Sequence, residues 1–288
     1  MAMMWLILSL LSAFSQSTSD LFGKMSLRKL DEYMFVFLRG LFATITLLPA
    51  FFLVRIPQND GIFWLAILAS SGLLSVAFIL YARAIKSSPL SLTIPMLAFS
   101  PLFLLLTSPL MLGEFPSSFG LIGILLIVVG TYSLGVRDVR QGWLAPFKAL
   151  TREKGALMML LVAVIYSVQA NVSKIAVQHS NSLTFSVFSN VLTTCLLFPV
   201  VMTKSKFSKE IGSNLKLLLL TGLFSALTML FFAEGVKQAI VPYVIPVKRT
   251  SIIFSILYGY FFFKEIRIAE RLGGALIMVL GVLLITAF

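Results

Sequence analysis

The chain has 288 residues, 59% hydrophobic and 12% charged, roughly half the charge of an ordinary soluble domain, which excludes that class. Its formal net charge of +12 would point to nucleic acid in a soluble protein. Here the basic residues stand in short loops between hydrophobic runs, a membrane-topology pattern facing lipid headgroups, and no nucleic-acid partner is expected.

In chain order, apolar runs of about 20 residues predict ten transmembrane helices. They fall at 3–23, 33–54, 62–85, 89–112, 118–136, 155–177, 183–203, 215–237, 241–263 and 268–287. The runs do not alternate as β-barrel strands do. The first run lacks a basic leader and continues through Gln16 and Asp20, so it reads as a retained span, not a cleaved signal peptide. Cys195 is the one cysteine, so no internal disulfide forms, and it reads as packing. Connections are short, which argues against an extramembrane domain. The exception is 137–154 (RDVRQGWLAPFKALTREK), where Trp143, Leu144, Phe147 and Leu150 share one helical face, the pattern of a segment in the membrane interface. It separates a first block, 1–136, from a second, 155–288.

Within the first span Ser12, Ser15, Gln16, Ser19, Asp20 and Gly23 form one polar stripe, and Tyr166, Gln169 and Ser173 do the same in the sixth. Both stripes are expected to face a shared cavity, the alternative being polar glue between helices. Asp20 and Glu234 lie near predicted span ends and read as helix-end groups; Asn171 stays unassigned. Arg39 is a third of the way into the second span and is expected to snorkel to the headgroups rather than meet a ligand, though it stays a candidate. Tyr81 and Tyr243, near span ends, are further candidates for substrate contact or for interfacial anchoring. Pro95 and Pro246 interrupt the fourth and ninth spans and are read as hinges or tolerated kinks.

The ninth span carries the sharpest signal, Lys248-Arg249, close to its middle. Each charge at that depth costs roughly 2.5–3.5 kcal/mol on insertion scales. No acid is predicted at the same depth. The expected partner is therefore an anionic group on a solute, for which Arg offers a fork and Lys a point charge. The alternative is pairing with carbonyls or a distant carboxylate.

The two blocks repeat. "YARAIKSSPLSLTIPML", then "LGEF", then a glycine-spaced helix is followed at an offset of 151 by "FAEGVKQAIVPYVIPVK", then "FKEI", then a similar helix. Lys86 meets Lys237, Pro95 meets Pro246, Glu114 meets Glu265, Gly123 meets Gly274 and Gly130 meets Gly281. At an offset of 150, Gly23-Lys24 meets Ser173-Lys174. Five spans is an odd number, so the second block enters from the opposite side. The fold class is an all-α membrane protein of ten helices in two inverted five-helix repeats, a plan that carriers use to open a midplane site alternately to each side. The glycine-spaced helices read as packing faces or dimer contacts, leaving a monomer or a homodimer open.

Of the 23 Lys and Arg, 17 lie on the odd-loop side and 3 (Arg55, Lys174, Lys237) on the other. That bias puts both termini outside.

The "FGK" and "VSK" ends of spans one and six, the "LGE" and "KE" after spans four and nine, and the glycine-spaced helices resemble the ten-span EamA type of the drug/metabolite transporter superfamily. The resemblance covers nearly the whole chain. It implies a secondary carrier whose relatives include exporters of amino acids and other metabolites, and it implies cytoplasmic termini, opposite to the charge bias. The Lys248-Arg249 pair is also similar to the Lys-Arg pair of plastid sugar-phosphate translocators, which implies a role in binding substrate phosphate.

The function expected is transport or exchange of a small organic anion, possibly phosphorylated, by alternating access in a bacterial-type inner membrane. Amino-acid export of a zwitterion, an anionic lipid-headgroup flippase and a non-transporting scaffold are the rivals. No enzyme activity, cofactor or metal is expected. There is no phosphate-binding P-loop, and the sole His, His179, lies in a loop. No midplane carboxylate is foreseen, so exchange or facilitated diffusion is favoured over proton coupling.

Overall fold

A computed structural model describes residues 3–27, 30–52, 60–88, 93–135, 153–205, 210–263 and 269–287. Residues 137–152 of the expected interfacial segment lie outside them, as do Arg55, Lys264, Glu265 and Arg267.

The described chain is helical. Helices α1 (Met4–Ser26), α2 (Glu32–Phe51) and α3 (Gly61–Ser87) make the first three crossings. The fourth is a 3-10 segment, Ile94–Phe99, running into α4 (Ser100–Leu112), and the fifth is α5 (Ser118–Gly135). The second block contributes α6 (Lys154–Gln178), α7 (Ser182–Lys204) and α8 (Leu215–Gln238). Its fourth crossing is α9 (Val241–Arg249) followed by α10 (Ser251–Phe263), and its fifth is α11 (Ala269–Ala287). Among the described residues five helices, α2, α3, α6, α7 and α8, are long and apolar enough to span alone. Shorter apolar helices make the fourth, fifth and tenth crossings, and α1 and the broken α9–α10 pair make the first and ninth.

Helix starts follow local chemistry. The Asp31 carboxylate accepts from Tyr33 and Met34 N–H at 3.1 and 3.0 Å and caps α2. Asp60 accepts from Phe63 N–H at 3.0 Å at the start of α3, and Asn181 from Thr184 N–H at 2.8 Å at the start of α7. At the end of α4, Gly113 adopts φ +68°, a left-handed cap open to glycine without strain, and turns the chain toward Glu114.

Packing obeys the repeat. The most extensive helix pairs are α1 with α8, α3 with α6, and α5 with α11. Exchanging the halves converts the first pair into the second and returns the third to itself, as a two-fold requires. The α5–α11 seam shows this atom by atom. A Cβ on Gly123 would stand 2.6 Å from Gly281 O, and one on Gly281 would stand 2.6 Å from Gly123 O. Gly130 and Gly274, the repeat mates of Gly281 and Gly123, face each other in the same way. The glycine-spaced faces thus close against each other within one chain, because only glycine lets these backbones approach so closely. Large apolar side chains such as Leu65, Leu110 and Phe261 are left exposed on the outside, where lipid covers them.

The ninth crossing, expected as one continuous helix, breaks at Thr250. Its N–H turns back to Val247 O at 3.0 Å and its Oγ bonds the same carbonyl at 2.7 Å, tightening α9 into a 3-10 turn. The fourth crossing breaks at the matched place, between Phe99 and Ser100. Both breaks fall one turn beyond Pro95 and Pro246.

Candidate functional site

The break in the ninth crossing sets Lys248 and Arg249 in the last turn of α9, where free carbonyls at a helix C-terminus favour cations. Arg249 Nη2 donates to Ser100 Oγ at 2.7 Å. Ser100 is the first residue of α4, so the two broken crossings meet at their breaks. Arg249 Nε is buried with no hydrogen-bond partner among the described residues. Lys248 Nζ lies 4.8 Å from the centre of the Phe232 ring and makes no hydrogen bond or ion pair among those residues. A cation–π contact satisfies part of an ammonium's demand and leaves its N–H donors free.

Two further charges reach this place. Arg39 Nε donates to Ser225 Oγ on α8 at 3.1 Å, and Arg39 Nη1 stands 3.5 Å from Asp20 Oδ1. Gln16 Nε2 donates to both Asp20 oxygens, at 2.9 and 3.0 Å. The charges of Asp20, Arg39, Lys248 and Arg249 act on one another and on the half-buried Tyr81 and Tyr166. One polar cluster therefore gathers groups from α1, α2, α3, α6 and α9.

This corrects two expectations. Arg39 does not reach outward to headgroups; it turns inward, because Ser225 and Asp20 supply acceptors there. Asp20 is no helix-end group, and an acid does stand beside the cations. The physical reason is length: α1 continues a turn past the predicted end, to Ser26, which leaves Asp20 about 9 Å inside it.

The stripes on α1 and α6 prove to be divided. Ser12 donates to Thr228 O and Ser19 to Thr221 O, both at 2.9 Å, joining α1 to α8. In the matching seam Gln169 donates to Ser70 at 3.1 Å, joining α6 to α3, and to Ser173 of its own helix at 2.8 Å. Such bonds average about 0.6 kcal/mol in membranes and act as glue. Only Gln16 and Asp20 of the first stripe and Tyr166 of the second join the cluster. Asn171 ties α6 to α4 through Ser108 Oγ at 2.7 Å and Thr107 Oγ1 at 3.0 Å. Glu234 accepts from Ser182 Oγ at 2.5 Å, at the start of α7.

Tyr243 stands apart, one end of the molecule away. Its hydroxyl accepts from Ser117 N–H at 2.8 Å and its ring stacks on Trp5 at 6.1 Å. This end, which carries both termini, is clasped. Lys174 is buried and forms an ion pair with Glu114 Oε1 while donating to Ala239 O at 2.7 Å. Val241 N–H donates to Glu114 Oε2 at 2.8 Å. One carboxylate and one ammonium thereby join the α4–α5 connection, the end of α6 and the α8–α9 connection. His179 and Asp60 add a pair at 3.0 Å on the same end. In the sequence Lys174 is placed among the charges of this side and matched to Lys24, but no partner is assigned to it. The signal was available, because Lys and Glu recur at matched positions in both halves and both types are scarce.

The comparisons with known proteins agree with this plan. The profile of the EamA-like transporter family matches residues 3–136 and 153–287, both halves in turn. The chain belongs to the EamA-like transporter family. It is 24% identical over 98% of its length to an uncharacterized transporter of Archaeoglobus fulgidus, of which 98% is covered. A protein solved by crystallography shares the fold, with a TM-score of 0.80 at 16% identity, covering 98% of this chain and 96% of that one. This EamA-like chain is an integral membrane transporter and not an enzyme. The family and the relative leave its solute open, so the cluster has to be read for chemistry.

Proposed function

We propose that the chain carries a small organic anion across the membrane by alternating access, with the anionic group held by Lys248 and Arg249. The unpartnered, buried Nε of Arg249 carries this reading. A guanidinium that is desolvated and incompletely bonded is a site for a bidentate acceptor such as carboxylate or phosphate. Lys248 adds a second cation, and Gln16, Arg39, Tyr81 and Tyr166 line the approach. The clasp at the terminal end and the half-exposed Asp20 fit a carrier open away from its termini. The Lys/Arg bias makes that open side cytoplasmic and both termini outer; a compartment-sensitive reporter on the C-terminus checks this, and fluorescence on the cytoplasmic side overturns it.

The test is uptake into proteoliposomes of a panel of phosphate esters, carboxylates and amino acids. Lys248→Ala and Arg249→Ala are each expected to abolish uptake of the accepted solute, and intact uptake sinks the proposal. A second reading, export of a zwitterion, draws on Asp20, which could meet an ammonium while the cations meet a carboxylate. Preference for amino acids over matched anions would favour it.

A further inference from the structure

We propose that Asp20 is the carrier's own counter-anion and its proton-coupling site: it balances one cation while the site is empty, and takes a proton when the solute's anionic group arrives. The inference rests on the anion-binding reading of Lys248 and Arg249.

Geometry sets Asp20 apart from the other acids of the described core. Glu114 is held in the clasp and Glu234 at the start of α7, both at the terminal end. Asp20 instead meets the cation cluster, facing Arg39 from α2, Tyr81 from α3, Tyr166 from α6 and Lys248 from α9, with Arg249 beyond. Its hold on Arg39 is loose. At 3.5 Å the pair is longer than a charge-assisted hydrogen bond of about 2.7–2.9 Å, so another anion can replace it. Gln16 steadies the carboxylate through both oxygens. The side chain is 50% exposed, so water can deliver a proton.

An anion on Arg249 Nε and Lys248 would share these cations with Asp20. Two anions at such range repel strongly away from bulk water. Transfer of one proton from water to an Asp20 carboxylate oxygen removes that repulsion. One O–H bond of a hydronium ion breaks, leaving water, as the carboxyl O–H bond forms, and for a monoanionic solute the loaded and empty sites carry equal charge. Anion and proton then travel together as symported ligands.

The experiment uses the full chain in detergent with sulfate, benzenesulfonate and glutamate, whose charges stay fixed between about pH 6 and 8. Calorimetry in two buffers of different ionisation enthalpy counts the protons bound with each anion. Wild type is expected to take up close to one proton per anion, with affinity falling by up to about tenfold per pH unit as pH rises. Asp20→Asn should still bind and lose the uptake. Lys248→Arg, which cannot shed its proton, should keep the pH slope if Asp20 is the acceptor. Without any substitution, infrared difference spectra of the wild type should gain the C=O stretch of a protonated carboxyl on anion addition.

Proton uptake that survives in Asp20→Asn, or a slope lost in Lys248→Arg, overturns the proposal. So does glutamate binding without proton uptake that disappears in Asp20→Asn, which would assign Asp20 to an ammonium. Failure of all three probes to bind wild type, or unchanged binding in Arg249→Ala, would instead refute the anion reading beneath it.

Discussion

Lys24 and Lys174 occupy the same place in the two halves, at the ends of α1 and α6, yet one is exposed and the other buried. Lys174 reaches across to Glu114 of the first half, and both are almost out of water. Lys24, the repeat mate of Lys174, belongs to the opposite end. Like sequence at two ends with unlike burial shows that the difference lies in conformation rather than composition. A carrier with inverted halves needs this inequality in any one state, since exchanging the two arrangements moves the opening from one side to the other.

That comparison can be broken experimentally. The largest effect is expected from Lys174→Met, which leaves the Glu114 carboxylate buried without its cation, a loss of about 3–5 kcal/mol. Melting in detergent should fall markedly. Lys174→Met combined with Glu114→Gln should recover much of the loss, and Lys24→Met, at an exposed site, should do little. Equal effects of Lys24→Met and Lys174→Met would show that the two ends are equivalent.

Next comes the asymmetry between the broken crossings. Lys248 and Arg249 correspond to Leu97 and Ala98 in the first half. Arg249→Ala should weaken binding of an accepted anion by about 1.5–3 kcal/mol, roughly 10- to 150-fold in a titration. Ala98→Arg added to that variant should not restore it, and restoration would mean that either half can hold the solute. A smaller effect is expected at the glycine seam. Gly281→Val should lower stability by about 1–3 kcal/mol through overpacking, and Gly123→Val, the glycine it packs against, by a similar amount. The melting temperature reads both.

The smallest effect concerns Asp60. The Phe63 N–H it caps, with a further contribution from His179, holds its carboxyl below the usual carboxylate range. A depressed folded value gives stability that is present above the unfolded value of about 3.8 and lost as pH falls through the folded one. Melting curves of Asp60→Asn and wild type should therefore differ slightly near neutral pH and converge in acid. Divergence in acid would contradict the sign.

Much of the frame was legible before any coordinates. The long helices begin and end within a few residues of the predicted spans, because an apolar stretch of membrane length can satisfy its backbone only as a helix. The repeat was legible because lysine, proline and glutamate are rare enough here for coincidence at one offset to carry weight. The site was legible only in part. Lys248 and Arg249 stood out because charge inside an apolar run is expensive. Asp20 did not, since its depth depends on one extra turn of α1. The stripe pattern points Gln169 at the same cavity as Gln16, and its amide joins the α3–α6 seam instead.

By itself, then, the sequence determined the helices, their duplication and the two unusual cations, all consequences of hydrophobic pattern along one chain. The tertiary structure alone decided which polar faces meet. It turned Arg39 inward to Asp20, set Arg249 against Ser100 at two matched breaks, and joined Lys174 to Glu114 across the halves. Each of those pairings spans 19 to 149 residues of chain, and the choice among possible partners is made by which backbones approach closely enough to bury them together.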